Sequence, residues 1–340
     1  MSPESSERQQ AGSAADSGAG PVPPRFPDFY LVGHPKCGTT ALFVMLRQHP
    51  EIFMSARKEP RYFALDRRSV LVPADEDHGR HQRLTEEGYL DLYRDAAPGQ
   101  KTGDASPNYL VSREAAGAIA AVRPDAKIIA IFREPADFLR SLHEQLYASH
   151  VEDQLDFRRA IELEAARARG EHIPRGCHHP EQLIYADHVR YAEQLARYRD
   201  AFPAENIHVI VYDDLRKDNE GTVRDVLRFL EVQDDYPLQM QRTDPVRAPR
   251  SARLHRFAGE LRRARRRPEA VSRPARIASR VLPESLTDSG RGLWRRFGYA
   301  GAPPRDADLE VELRARFSGE VDALGQMLGR DLTALWGRGE

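Results

Sequence analysis

The chain has 340 residues, 51 basic against 52 acidic side chains, and a net charge of −1. That balance gives no global attraction to nucleic acid or to an anionic membrane, and no apolar run approaches the ~20 residues that cross a bilayer. Two cysteines, Cys37 and Cys177, make no disulfide framework and point to a reducing, cytoplasmic setting.

Residues 1–25 are rich in Ser, Gly, Ala and Pro, lack the apolar stretch of a secretory leader, and read as a disordered tail. Order is expected from Phe26. Phe29 to Gly33 reads as a buried strand and residues 38–48 as the helix that follows it. Glu51 to Met54 is a second strand candidate. Residues 66–83 are polar and irregular, in the manner of an inserted loop. Lys101 to Asp104 is a weak strand, followed by a helix over about 112–122. Lys127 to Phe132 (KIIAIF) is the strongest strand of the chain, and a helix starts at Pro135, where proline fits the first turn. Helices are expected over about 156–169 and 182–201, a buried strand over 207–212, and a helix over about 220–230. Residues 246–280 hold twelve Arg against two Glu and no Asp. A helix over about 307–328 closes the chain. Alternating strands and helices specify an α/β fold, three-layered, with a mostly parallel sheet and a P-loop-like core. One domain is expected over 26–340, with an Arg-rich lid or acceptor-side region at about 246–300.

Two strand ends carry the chemistry. In FYLVGHPKCGTTALFVML, a glycine-containing loop joins a buried strand to a helix. Such a loop presents backbone N–H groups and the positive end of a helix dipole to an anion, and Thr39 and Thr40 add hydroxyls. A Walker A loop would read G-x-x-x-x-G-K-[ST]. Gly33 and Gly38 keep its glycine spacing, but Thr39 stands at the lysine position and Lys36 lies inside the loop. Lysine is scarce here, five residues against 46 arginines, so a loop lysine suggests a need for a compact charge. The arginine bias itself is of a kind associated with GC-rich, bacterial coding sequence. In KIIAIFREPADFLRSLHEQL, Arg133 ends a strand, where open parallel sheets bind ligands. Ser141 follows eight residues on, two turns into the helix, and the pair could hold a phosphate. A P-loop kinase would place a metal-binding Asp at such a strand end. A rival ending of that kind exists at Asp213 and Asp214 in VIVYDDL.

The segment PKCGTTAL resembles the 5′-phosphosulfate loop of sulfotransferases that use 3′-phosphoadenosine-5′-phosphosulfate (PAPS). The resemblance implies that Pro35, Lys36, Cys37, Gly38, Thr39, Thr40 and Ala41 cradle the phosphosulfate, with Lys36 on the bridging oxygen. Cys37 stands where Ser or another small residue is common. The Arg133/Ser141 unit is similar to the family's 3′-phosphate site. Many members carry a further Arg five residues on, where this chain has Phe138, with Arg140 two beyond it. The block Lys58-Glu59-Pro60, before Tyr62 and Phe63, resembles that of carbohydrate sulfotransferases, especially the heparan sulfate group. It implies Glu59 as catalytic base and Lys58 as a substrate or sulfate contact. Asp104, in GDASPNYL, falls in a family block near the acceptor and could orient the hydroxyl or share the base role. His143 is a third candidate base, and a core histidine is its plainer reading. Arg247 and Arg250 fall where related bacterial enzymes close a loop over the cofactor. The remaining arginines there could meet an acidic acceptor or a membrane surface, or form a solvated face.

The implied reaction moves a sulfuryl group from PAPS to a hydroxyl of a sugar, glycolipid or natural product and releases 3′-phosphoadenosine-5′-phosphate (PAP). No metal is expected: His172, Cys177, His178, His179 and His188 match no common ligand spacing. The alternatives are an ATP-dependent small-molecule kinase and a non-catalytic nucleotide-binding protein. The acceptor and the oligomeric state are not legible.

Overall fold

The two central strands form because short β-branched and aromatic runs meet in parallel and are covered on both sides, which favours continuous rather than alternating apolar sequence. A computed structural model of the chain describes residues 25–64, 66, 84–174, 177, 179–240, 248–249, 299–300 and 305–337. β1 (Phe29–Gly33), β2 (Ile52–Met54), β3 (Lys101–Ala105), β4 (Lys127–Phe132) and β5 (Ile207–Val211) stand in the order β2-β3-β1-β4-β5. Every neighbouring pair is parallel. Central β1 is buried along its whole length, and Phe29 lies opposite both Gly103 of β3 and Lys127 of β4.

The helices are α1 (Thr39–Leu46), α2 (Glu86–Leu90), α3 (Asn108–Val111), α4 (Ala115–Val122), α5 (Pro135–Ala148), α6 (Phe157–Glu162), α7 (Glu164–Ala168), α8 (Tyr191–Ala201), α9 (Tyr212–Lys217), α10 (Asn219–Phe229), α11 (Ala307–Arg316), α12 (Ser318–Leu328) and α13 (Leu332–Trp336). From β1 the chain winds through α1 toward the β2 edge. The connections β3–β4 and β4–β5 wind the other way. Right-handed crossovers therefore place α1 on one face and α4 and α8 on the other. The packing agrees: α4 and α12 lie against α8, while the chain after α10 bonds the end of α1, with Gln48 Nε2 3.1 Å from the Gln239 carbonyl and the His49 ring 2.8 Å from that of Gln233. This is the expected three-layer α/β arrangement. Among the described residues no helix is long and apolar enough to cross a membrane.

Several expected helices are interrupted. The one expected over 112–122 is α4, which starts only at Ala115 because the Ser112 hydroxyl accepts from the amides of Glu114 and Ala115 at 3.3 and 3.1 Å; the short α3 precedes the expected range. That local bond competes with helix propagation. Residues 182–201 begin as 3-10 turns over Pro180–Leu183 and Tyr185–Val189 before α8. The expected helices over 156–169 and 307–328 break at Leu163 and Phe317. β6 (Ala248–Pro249) and β7 (Tyr299–Ala300) pair antiparallel, and β6 lies against α5. The expected tail, nearly all of the 66–83 loop, and both Arg247 and Arg250 lie outside the described residues.

β1 and β4 are neighbours reached by opposite windings, so a crevice opens beyond their carboxyl ends. Close packing at the opposite, amino end of β1 explains Gly103: a β-carbon there would fall 2.2 Å from Phe29 Cζ and 2.6 Å from Met54 Sδ. Gly103→Ala is expected to lower stability by about 1–3 kcal/mol through overpacking, read as a lower urea midpoint at unchanged slope.

Candidate active site

After Gly33 the chain turns through residues 34–38 into α1. Lys36 and Gly38 both take left-handed backbone, φ 69° and 87°, a conformation that favours glycine. At position 38 space also requires it, since a β-carbon would lie 2.8 Å from Leu215 Cδ2 and 3.3 Å from Tyr212 Cε2. α9 is thus the floor of the loop. No side chain caps the amino end of α1, so its first N–H groups remain available to an anion.

β4 delivers the second cation. Arg133 Nη1 donates to the Lys36 carbonyl at 3.0 Å. Its guanidinium lies over the Tyr212 ring, 4.8 Å from the centroid, and 3.8 Å from the Asp137 carboxylate. Tyr191 fixes the backbone here, its hydroxyl donating to the Arg133 carbonyl at 2.9 Å. Burial and the nearby Arg133 charge hold the Lys36 ammonium below its usual pKa, with Glu144 opposing. α5 starts sharply because Glu134 caps it, accepting from the amides of Ala136 and Asp137 at 3.1 and 2.6 Å, with Pro135 next. Ser141 is buried one turn past Asp137. Arg140 instead joins carboxylates, 3.4 Å from Asp137, 3.0 Å from Glu144 and 3.7 Å from Glu310.

The segment after β2 brings a carboxylate to this loop. Lys58 Nζ donates to Thr40 Oγ1 and to Glu59 Oε1, both at 2.9 Å. Arg61 holds the other oxygen of Glu59 at 2.6 Å. Burial alone would raise the Glu59 carboxyl, but Lys58 and Arg61 outweigh it and hold it below the usual range. Glu59 is therefore an ionised carboxylate, 29% exposed. The backbone at Glu59 and at Arg61 is left-handed, φ 58° and 57°.

Asp104 and His143 are placed differently. Asp104 is 1% exposed and accepts three hydroxyls, from Tyr89 at 2.7 Å, Ser106 at 2.7 Å and Tyr109 at 2.8 Å. Burial pushes its carboxyl up to about 6, against those hydrogen bonds. His143 is buried, its ring bonded to the Gln154 carbonyl at 2.9 Å and packed on Phe157. Asp213 and Asp214, the kinase-like pair, are engaged elsewhere. Trp336 Nε1 donates to Asp213 at 2.9 Å, and Arg330 forks onto Asp214.

Residues 27–236 match the profile of the sulfotransferase family. The chain belongs to that family. It is 28% identical over 251 residues to carbohydrate sulfotransferase 15 of Mus musculus, covering 61% of this chain and 44% of the relative. It is 34% identical over 137 residues to heparan sulfate glucosamine 3-O-sulfotransferase 6 of Homo sapiens, covering 39% of this chain and 34% of the relative. The chain thus spans less than half the length of these curated relatives. The crystal structure of a sulfotransferase from Alicyclobacillus acidocaldarius superposes with a TM-score of 0.65 at 25% identity, over 92% of this chain and 99% of that one.

In this sulfotransferase-family chain the structure gathers Lys36, Thr40, Lys58, Glu59 and Arg133 around the crevice, with Ser141 on α5. It sets Asp104 and His143 behind, inside hydrogen-bonded shells. Three neighbours were missed from sequence: Arg61 on Glu59, Tyr212 beneath Arg133, and Glu144 facing Lys36. Arg61 directly follows the Lys58-Glu59-Pro60 block, and Tyr212 stands inside VIVYDDL. Glu144 gives no sequence signal beyond falling one turn after Ser141. Cys37 is fully buried, and burial pushes its thiol up to about 12. In the native protein at pH 8 it should stay unlabelled by iodoacetamide while the unfolded chain labels, a difference read by peptide mass mapping.

Proposed function

We propose that this chain transfers a sulfuryl group from PAPS to an acceptor hydroxyl and releases PAP. One observation carries the reading: Lys58 joins Thr40 of the anion loop to Glu59, so a proton acceptor stands at the mouth of an anion grip. The grip fits a doubly phosphorylated donor. It has two partly desolvated cations, Lys36 and Arg133, and uncapped helix amides. Its turn at Gly38 packs directly on Leu215 and Tyr212 of α9, which leaves no room for a β-carbon. The loop over residues 35–41 would hold the phosphosulfate, and Arg133 with Ser141 the 3′-phosphate.

Each residue then has a task. Glu59 takes the proton as the acceptor oxygen bonds to sulfur. The sulfur–oxygen bond to the 5′-phosphate breaks, and Lys36 stabilises the charge that gathers on the departing oxygen. Lys58 keeps Glu59 aligned with the loop and balances charge on the transferred group. Arg61 keeps Glu59 ionised. Because its carboxyl lies below the usual range, Glu59 loses no charge until the medium is more acidic than an ordinary glutamate would require. The acceptor is read as a sugar hydroxyl or a similar natural-product hydroxyl, in line with the carbohydrate relatives.

The test is PAP release from PAPS over a panel of sugar and glycoside acceptors, without added Mg²⁺. Glu59→Gln should lower kcat by about 10²–10⁴-fold with PAP affinity unchanged. Lys36→Ala should lower it by about 10²–10³-fold. A wild-type protein that binds Mg²⁺–ATP but not PAP, by calorimetry, defeats the proposal.

A further inference from the structure

The buried carboxylate of Asp104 lies on neither anion grip, yet its three hydroxyl donors lead to one place. Ser106, which donates to Asp104, accepts the amide of Arg61 at 3.1 Å. Tyr109, which donates to Asp104, accepts the amide of Phe63 at 3.4 Å. Tyr89, the third donor, stacks on Tyr62 with ring centroids 4.4 Å apart and planes 10° apart. Three successive residues, Arg61, Tyr62 and Phe63, are each held by a different hydroxyl side chain of one carboxylate. Glu59 lies two residues before Arg61, across Pro60, and both Glu59 and Arg61 carry left-handed backbone that an ordinary side chain resists. Such conformations persist only where the surroundings over-determine them.

We infer that Asp104 is a positioning residue: its ionised carboxylate orients three hydroxyls that together hold the 61–63 segment, and through it Glu59, at the mouth of the anion loop. The inference rests on the reading of Glu59 as base. Ionised Asp104 accepts all three donors; protonated, it must turn one oxygen into a donor, and a spoke of the support is lost. Several groups face this carboxylate. Ser106 follows β3, Tyr30 comes from β1, Tyr89 and Tyr93 from α2 and the turn after it, Tyr109 from α3, Tyr198 from α8, and Glu59 from the supported segment. Burial raises the phenols among them, apart from Asp104's own charge, so none ionises near neutrality.

The sign of the pH effect separates this role from a structural one. The carboxyl sits at about 6 in the folded chain against about 4 when unfolded. The folded state therefore binds the proton more tightly. Relative to Asp104→Asn, the wild type should lose stability as pH rises from about 4 to about 6. Turnover should instead rise as pH passes through about 6, from roughly 5 to 7, because deprotonation in the folded chain completes the support. A merely structural carboxylate would move both the same way.

The experiment uses the full chain with Asp104→Asn, and with the milder Ser106→Ala and Tyr109→Phe in case the first fails to fold. Hydrogen exchange over residues 57–64 should quicken in each folded variant. PAP affinity should hold, and kcat should fall by about 10²-fold for Asp104→Asn, with the acid limb centred near pH 6 gone. Glu144→Gln is the control, because Glu144 and Glu134 are also raised by burial. If the acid limb vanishes in Glu144→Gln instead, or if the Ser106 and Tyr109 variants keep both wild-type kcat and wild-type exchange, the assignment is overturned. Faster exchange with undiminished kcat likewise overturns it. Absence of PAP binding in the wild type counts against the donor reading, and the exchange arm still decides whether Asp104 holds the segment.

Discussion

The hydrogen bond from the Arg133 guanidinium to the Lys36 carbonyl joins the ends of β1 and β4, and the rest of the crevice is arranged around it. It sets two cations side by side in a partly dry setting, where like charges repel far more than in water. The carboxylates of Asp137 and Glu144 offset that repulsion, and Tyr212 supports the guanidinium from below. The floor is itself fastened: α9 carries Tyr212 and Leu215, and its two aspartates are bound by Trp336 and Arg330 near the carboxyl end of the described chain. A pair of acids that reads like a metal site in the sequence is, in the fold, a fastening for the wall of the anion loop.

The opposite side of the crevice depends on strain. Left-handed backbone at Glu59 and Arg61 costs about 1–3 kcal/mol each. It is compensated by ion pairs onto Glu59 and by the aromatic and hydroxyl contacts of the residues that follow. Strain and a clamped charge keep one carboxylate in one place, which reduces the reorganisation that a proton acceptor would otherwise undergo.

Much of this was legible in the sequence, for reasons that differ by element. β1 and β4 announce themselves because strands covered on both faces need unbroken apolar runs, and β5 because its edge run is β-branched. The anion loop is legible because Gly38, Lys36 and the threonines are contiguous, and Arg133 because it directly ends the strongest strand. The late start of α4 after Ser112 and the helix interruptions at Leu163 and Phe317 were not legible, since a side-chain bond or a local turn leaves the apolar spacing intact. The contact of Lys58 with Thr40 depends on strand order, which places the end of β2 near that of β1 only after β3 has inserted between them. Glu144 and the enclosure of Asp104 were hidden for the same reason. Their partners come from separate elements and meet only when the layers close. The individual roles of Lys58 and Glu59 came from family resemblance, not from spacing.

The support behind residues 61–63 bears on protein engineering. Its spokes come from Tyr89, Ser106 and Tyr109, two of them more than forty positions downstream. A transplant of the KEPRYF block into another scaffold would therefore carry the charged side chains but leave behind the frame that aims them. Exchange of acceptor preference between relatives has its natural cut points outside this frame, so that the block and the 89–109 stretch travel together.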